Sequence, residues 1–399
     1  MKILGYKFGK EEVVKDASDG MVNEDFGAIG NIPVGDRDLS KPYVDDSYVG
    51  GNGMVYFGEE NLYPNLLNNL YRSSPIHATC VNFKTNAIVG GGYEFKGYDE
   101  ATLDKKKDIK KLEIRLKLKE LTRGISQDFI KHGRACVLLT YSEEKKTFVK
   151  ARLIDPENVR NTRVSIYEDK PSHYFLSEDW RRYGINKIVP CHHLGCKDKY
   201  QMLELRTNTA GLKTYPLPDY VSNGNWTYLD GEISYLYKQG IVNSINPSMI
   251  FKFPFETTPG QKQKIRRMLE TVGKGARNMG RILTFYKPAD QQPEIETVKT
   301  TQNDKLYAQV SQEIKDNIAI SHQIDPAVIG IKTTGKLGNA AELKMQYQLF
   351  EKNWVMENRD TIEEFINDVL GVFHCELEFQ FNTFNIIDEE IVETKIEEE

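Results

Sequence analysis

The sequence predicts an α+β fold, on three observations. Runs rich in Val, Leu and aromatic residues, separated by turn residues, fill residues 135–193. Two Pro-free segments, 304–322 and 339–370, carry apolar residues at helical spacing. Between these blocks a shorter pattern of strand, helix and strand occupies 249–286.

Each element has its own signal. Residues 1–58 are rich in Gly, Asp and Ser with little periodicity, which predicts an extended arm that orders on a neighbour. Helices are expected at 64–72 and 75–89, the second opened by Ser74-Pro75 and stopped by Gly90-Gly91-Gly92. Residues 104–132 place Leu112, Leu116, Leu121, Ile125 and Phe129 at helical spacing with Lys between them, and Gly133 ends this helix. Strands are expected at 135–141, 147–154, 173–176 and 187–193. Beyond Pro216-Leu217-Pro218-Asp219, residues 226–241 set Leu229, Ile233, Leu236, Tyr237 and Ile241 on one helical face, and Asn246-Pro247 stops them. The shorter pattern then reads as a strand at 249–253, a helix at 259–272 and a strand at 281–286. In the next helix Tyr307, Val310, Ile314 and Ile318 form a stripe over roughly 30 Å. The last helix carries Leu343, Tyr347, Phe350, Trp354, Ile362, Phe365 and Val369 over roughly 45 Å. A loop with no strong pattern, 325–338, joins the two.

Composition narrows the class. At 399 residues the chain suits two or three domains of roughly 150 residues. Its 39% hydrophobic and 28% charged residues, with 21 Tyr and 18 Phe, argue for packed cores and against disorder. No apolar run reaches the roughly 18 residues a membrane span needs, and the start Met1-Lys2-Ile3-Leu4-Gly5 turns polar too soon for a signal peptide. A cytosolic protein with five reduced Cys is expected. The net charge of −5 does not announce a nucleic-acid binder, but charge is unevenly placed. Residues 251–287 hold nine Lys or Arg against Glu256 and Glu270, while 388–399 hold seven carboxylates against Lys395 alone. By themselves these read as a solvated helix and an acidic tail.

Motifs that carry chemistry are incomplete. Gly330 to Lys336 follows a P-loop pattern until Leu337 replaces the hydroxyl that would ligate Mg²⁺, and a helix rather than a strand precedes it. A loop is the expected reading. Cys191, His192, His193 and Cys196 gather four zinc-ligand types, but a strand throws alternate side chains to opposite faces and no second pair follows. No metal ligand is assigned there. Asp219, Glu232 and Lys238 do not make a compact acidic-Lys motif, and no Gly-x-Ser-x-Gly elbow occurs. The expectation is therefore no catalytic residue, no cofactor, no metal and no enzyme.

Several phrases resemble the portal proteins of tailed phages, particularly the shorter members. One is Tyr56-Phe57-Gly58-Glu59-Glu60-Asn61-Leu62-Tyr63-Pro64, followed by Ser74-Pro75-Ile76 and a helix ending Ile88-Val89-Gly90-Gly91-Gly92. Another is Ile125, Asp128-Phe129 and His132-Gly133-Arg134-Ala135-Cys136-Val137, then a strand reaching Leu153-Ile154-Asp155-Pro156-Glu157-Asn158-Val159. The most telling is Ala319-Ile320-Ser321-His322, Ile324-Asp325-Pro326-Ala327-Val328-Ile329-Gly330, a Gly-rich loop, and Asn339-Ala340-Ala341-Glu342 opening the long helix. Together they cover most of residues 56–370.

The resemblance implies an α+β wing at 59–225, a two-helix stem at 226–244 and 301–324, and a small α/β clip at 245–300. A tunnel loop at 325–338 and a long C-terminal wing helix at 339–387 with a minimal crown follow, between the 1–58 arm and the 388–399 acidic tail. It implies a ring of about twelve subunits closed head to tail, set at one capsid vertex of a virion and assembled in the host cytoplasm. Such a ring is a channel for DNA packaging and ejection. Its implied partners are itself, the terminase large subunit, the head-tail adaptor, the major capsid protein and double-stranded DNA passing without sequence preference. Lys262, Lys264, Arg266, Arg267, Lys274 and Arg277 would face motor and adaptor, since opposite charge speeds encounter. Lys332, Thr333, Thr334 and Lys336 would line the tunnel, the two lysines touching phosphates or pairing with Glu of an adjacent subunit. Two other readings stand beside this one: a metal- or nucleotide-dependent enzyme acting on nucleic acid, and a different head-tail connector ring.

Overall fold

Proline and serine set the first helical turns. Pro64 opens α1 (Tyr63–Ser73) and Pro75 opens α2 (Pro75–Val89), where a missing N–H costs no helical bond. Ser74 caps α2 by accepting the His77 N–H at 3.1 Å. The computed structural model describes residues 53–182, 184–243, 260, 263, 304–331 and 340–383, with strands at 247–254, 281–287 and 294–297.

Of the arm expected at 1–58, only 53–58 fall within the described residues. Met54, Val55 and Phe57 are buried, Val55 donates its N–H to the Asn161 carbonyl, and Phe57 stacks on Tyr215 at 4.1 Å. Three apolar side chains in six residues suffice to pin this stretch to the body.

The helix expected at 104–132 is two. After β1 (Tyr93–Phe95), α3 (Leu103–Leu116) stops at Lys117, whose left-handed φ of 49° restarts the chain as α4 (Leu118–His132). The turn brings Leu112 and Leu116 of one helix and Leu118 and Leu121 of the next into the same core, which a straight helix cannot do. Gly133 ends α4 at φ 71°; a Cβ there would lie 2.7 Å from the Leu217 backbone, so only glycine fits.

Strand β2 (Arg134–Ser142) is the centre of an antiparallel sheet, between β3 (Thr147–Ile154) and β7 (Tyr200–Arg206). Its side chains alternate. Ala135, Val137 and Leu139 enter the main core, while Cys136 and Leu138 join a smaller one with Tyr174, Val189 and Met202. The second sheet is β4 (Val159–Asn161), β5 (His173–Leu176) and β6 (Lys187–Pro190), all antiparallel. β6 is shorter than the strand expected to His193, because only an isolated bridge from Cys191 continues it. β4 and β7 were not legible as strands. β7 interrupts its apolar alternation with Gln201 and Glu204, both buried, and Glu204 pairs with buried Arg134 at 2.9 Å.

Helix α5 (Gly224–Asn243) precedes a three-stranded sheet in which β8 (Pro247–Pro254) pairs parallel with β9 (Arg281–Lys287) and antiparallel with β10 (Glu294–Thr297). A parallel pair needs a crossover of a dozen or more residues, and the stretch between β8 and β9 is long enough. The helix expected at 259–272 lies outside the described residues, apart from 260 and 263.

Helix α6 (Asp304–Ser321) follows, then α7 (Ala340–Phe350) and α8 (Met356–Val372), joined without a break by a π-helical turn, Glu351–Val355. The extra residue of the π turn puts both Trp354 and Val355 in the core. Finally β11 (Phe379–Phe381) pairs antiparallel with β1.

Candidate functional site

The residues that the sequence assigns to a tunnel, Lys332, Thr333, Thr334 and Lys336, lie outside the described residues. So do the basic residues Lys262, Lys264, Arg266, Arg267, Lys274 and Arg277. What is described is the frame from which the first group hangs: the end of α6, the turn after it, the start of α7, and the wall behind them.

The end of α6 is locked by its backbone. Gln323 takes a φ of 59°, its N–H meets the Ile320 carbonyl at 2.8 Å, and the Ile324 N–H meets the Ala319 carbonyl at 3.0 Å. This is a Schellman cap, sealed by the buried pair Ala319 and Ile324. The next turn is tied by Asp325, whose Oδ1 accepts the Ala327 N–H at 2.8 Å and whose carbonyl accepts that of Val328 at 2.9 Å. Ile331 returns its N–H to the Pro326 carbonyl at 2.9 Å. The loop therefore leaves from a fixed point.

Behind this point three polar joints bind helix to helix. In the first, the fully buried imidazoles of His77 on α2 and His322 beside α6 meet at 2.9 Å between Nδ1 and Nε2. Tyr220 stacks on His322 at 4.8 Å and meets His77 edge-on at 4.5 Å. Burial, reinforced by the Lys84 and Lys131 ammoniums, pushes His77 down to about 3. Burial, with Lys84 and His77 beside it, holds His322 well below the usual imidazole range. Both rings are neutral at pH 7, which lets one donate to the other.

In the second joint, buried Lys84 of α2 donates to Asp219 Oδ2 at 2.7 Å, and the Trp354 indole of the π turn donates to the same oxygen at 2.7 Å. Lys84 also lies over the Trp354 ring at 4.1 Å. Burial lowers the Lys84 pKa, opposed by the Asp219 carboxylate. In the third joint, Asp230 of α5 accepts from Ser74 Oγ at 2.7 Å, at the cap of α2. Sequence reading missed all three, although Lys84 is the only Lys, Arg, Asp or Glu in α2.

Among the described residues, the other sequence candidates do not converge on a metal centre. Asp219 is held by Lys84 and Trp354. His192 pairs with Gln201 at 2.7 Å, Cys196 with Asp198, and Cys191 with the Tyr174 hydroxyl. Among the described residues no three His, Cys, Asp or Glu side chains converge as metal ligands. Gly330, the first residue of the near P-loop, follows a helix and turn rather than a strand.

The architecture itself has counterparts. A chain from the virion of a native gene transfer agent (GTA) particle matches with a TM-score of 0.55 and 14% identity, over 85% of this chain and 88% of that one. This chain shares that chain's fold. A chain in the neck of a native GTA particle, computed with C12 symmetry, matches at 0.52 and 14%, over 79% of this chain and 83% of that one. A crystal structure of an HK97 family phage portal protein from Corynebacterium diphtheriae also matches, at 0.46 and 13%, over 79% and 95%. No family model matches this chain, and no curated protein matches it in sequence.

Proposed function

We propose that the chain is a portal subunit, repeated in a ring at one capsid vertex through which DNA is packaged and released. The observation that carries this reading is the agreement of two independent likenesses. The passage from helix through Gly-rich loop to long helix has the portal order in sequence, and the fold is shared over most of both chains with a component of GTA particles, one solved within a neck of C12 symmetry. In this reading α5 and α6 form the stem, 325–338 the tunnel loop, and β8 to β10 the clip. The α7 to α8 run, about 50 Å from Ala340 to Val372, forms the long wing helix.

The locked end of α6 supports a channel role. A loop that meets passing DNA needs a base that does not unravel, and a Schellman cap followed by an Asp turn supplies one. The chain acts without catalysis, by presenting a smooth, net acidic ring that does not grip phosphates. The basic clip docks the terminase motor and then the adaptor. Native mass and negative-stain images of purified protein test the reading: rings of about twelve 45.8 kDa chains with a central hole are expected. A monomer that hydrolyses nucleotide or carries stoichiometric zinc contradicts it. Arg266→Glu with Arg267→Glu should abolish motor binding while leaving rings intact.

A further inference from the structure

Helices α3 and α8 carry opposite charge on their outer faces. Residues 103–117 hold seven Lys or Arg against three carboxylates, whereas residues 356–372 hold five carboxylates against Arg359 alone, which is buried. Each face is ordered as a stripe. On α3, Leu103, Lys107, Lys110 and Ile114 follow at i, i+4, i+7 and i+11, all exposed, Leu103 at 76% and Ile114 at 74%. On α8, Glu357, Asp360, Glu364 and Asp368 follow at i, i+3, i+7 and i+11, and all four are exposed. Both stripes are therefore about 16.5 Å long.

The α3 carboxylates flank its stripe without neutralising it. Asp108 pairs with Lys111 at 2.9 Å, Asp104 with Lys107 at 3.6 Å, and Glu113 accepts from the Tyr93 hydroxyl at 2.9 Å. Lys110, at the centre, has no carboxylate within ion-pair distance among the described residues. On α8 the imbalance is complete: none of the four stripe carboxylates has a Lys or Arg within ion-pair distance among the described residues. Like charges at i and i+4 destabilise a helix, so the row Asp360, Glu364 and Asp368 is unfavourable until cations from elsewhere meet it.

We propose that the acidic stripe of α8 on one copy docks on the basic stripe of α3 on the next. A head-to-tail ring joins two different faces of the same subunit, and these two are complementary in charge, length and helical form. Met356, 52% exposed beside the acidic stripe, supplies an apolar contact for Leu103 or Ile114. Opposite charge on the two faces also disfavours face-to-face pairing of like stripes, which sets the head-to-tail direction. The contact rests on the ring of the portal reading and names the surfaces that close it.

Sedimentation velocity of the full chain tests it with two charge-reversed variants. One carries Asp360→Lys, Glu364→Lys and Asp368→Lys; the other carries Lys107→Glu, Lys110→Glu and Lys111→Glu. Each variant alone presents like charge on both faces, and should need at least about tenfold more protein to assemble than the unaltered chain. An equimolar mixture restores opposite charge at every contact and should assemble within about threefold of the unaltered chain. Misfolded chains would not recover on mixing. Assembly of the unaltered chain should also weaken between about 0.1 M and 1 M salt. A variant that assembles alone like the unaltered chain overturns the proposal and leaves the ring standing, as does a mixture no better than its parts. An unaltered chain that stays monomeric overturns the ring reading, and this contact with it.

Discussion

At the scale of single residues, the fold is most constrained where a position admits one chemistry. Gly133→Ala places a Cβ 2.7 Å from the Leu217 backbone at a positive φ, and should destabilise the protein by about 2 kcal/mol or more in urea titrations. The sequence made Gly133 legible as a helix stop, but the approach of Leu217, which makes the glycine obligatory, is a tertiary fact. The histidines behave likewise: His77 and His322 are separated by 245 residues, and no periodicity links them. Burial holds both, and His132, neutral. The unfolded chain protonates each near 6.5, whereas folded His77 resists to about 3, so stability is full above about 6.5 and falls as pH drops. Buried Asp128, raised to about 7, opposes this with one proton of the other sign. Three histidines held neutral against one carboxyl held protonated leave a net loss of stability as pH falls below about 6.5. Denaturant midpoints measured below about pH 6.5 should fall with acidification, and the slope should flatten in His77→Gln.

At the scale of elements, α2 is the hub: two turns apart on one face, His77 takes His322 and Lys84 takes the Asp219 and Trp354 joint, and its cap takes Asp230. Asp219→Asn leaves a buried ammonium without its counter-charge and should cost about 3 kcal/mol, near the low end for a broken buried pair because Asp219 is 30% exposed. Lys84→Met leaves only the more exposed carboxylate and keeps the apolar stem, so its cost should stay under about 2 kcal/mol. Thermal melts of the two variants give the order. For the described helices, existence and type were readable from 3.6-residue periodicity or, for α2, from its Ser-Pro start and Gly stop, as were the strands with clean alternation. The Lys117 break, the π turn and β7 were not, because each is set by what packs against it. Lys84 was the available clue, a lone Lys in an otherwise uncharged helix.

At the scale of the whole molecule, the order of helix, Gly-rich loop and long helix resembles a portal passage in sequence, and the fold is shared with GTA particle chains. The residues chosen for tunnel and clip rest on sequence alone, since charge in a loop does not reveal its partner. The central claim is that α6 delivers its loop to a channel. A cryo-EM reconstruction of the assembled protein tests this most directly. Residues 325–338 should form the narrowest ring around the axis, with α5 and α6 as the wall. A closed ring with those residues on its outer rim would contradict it.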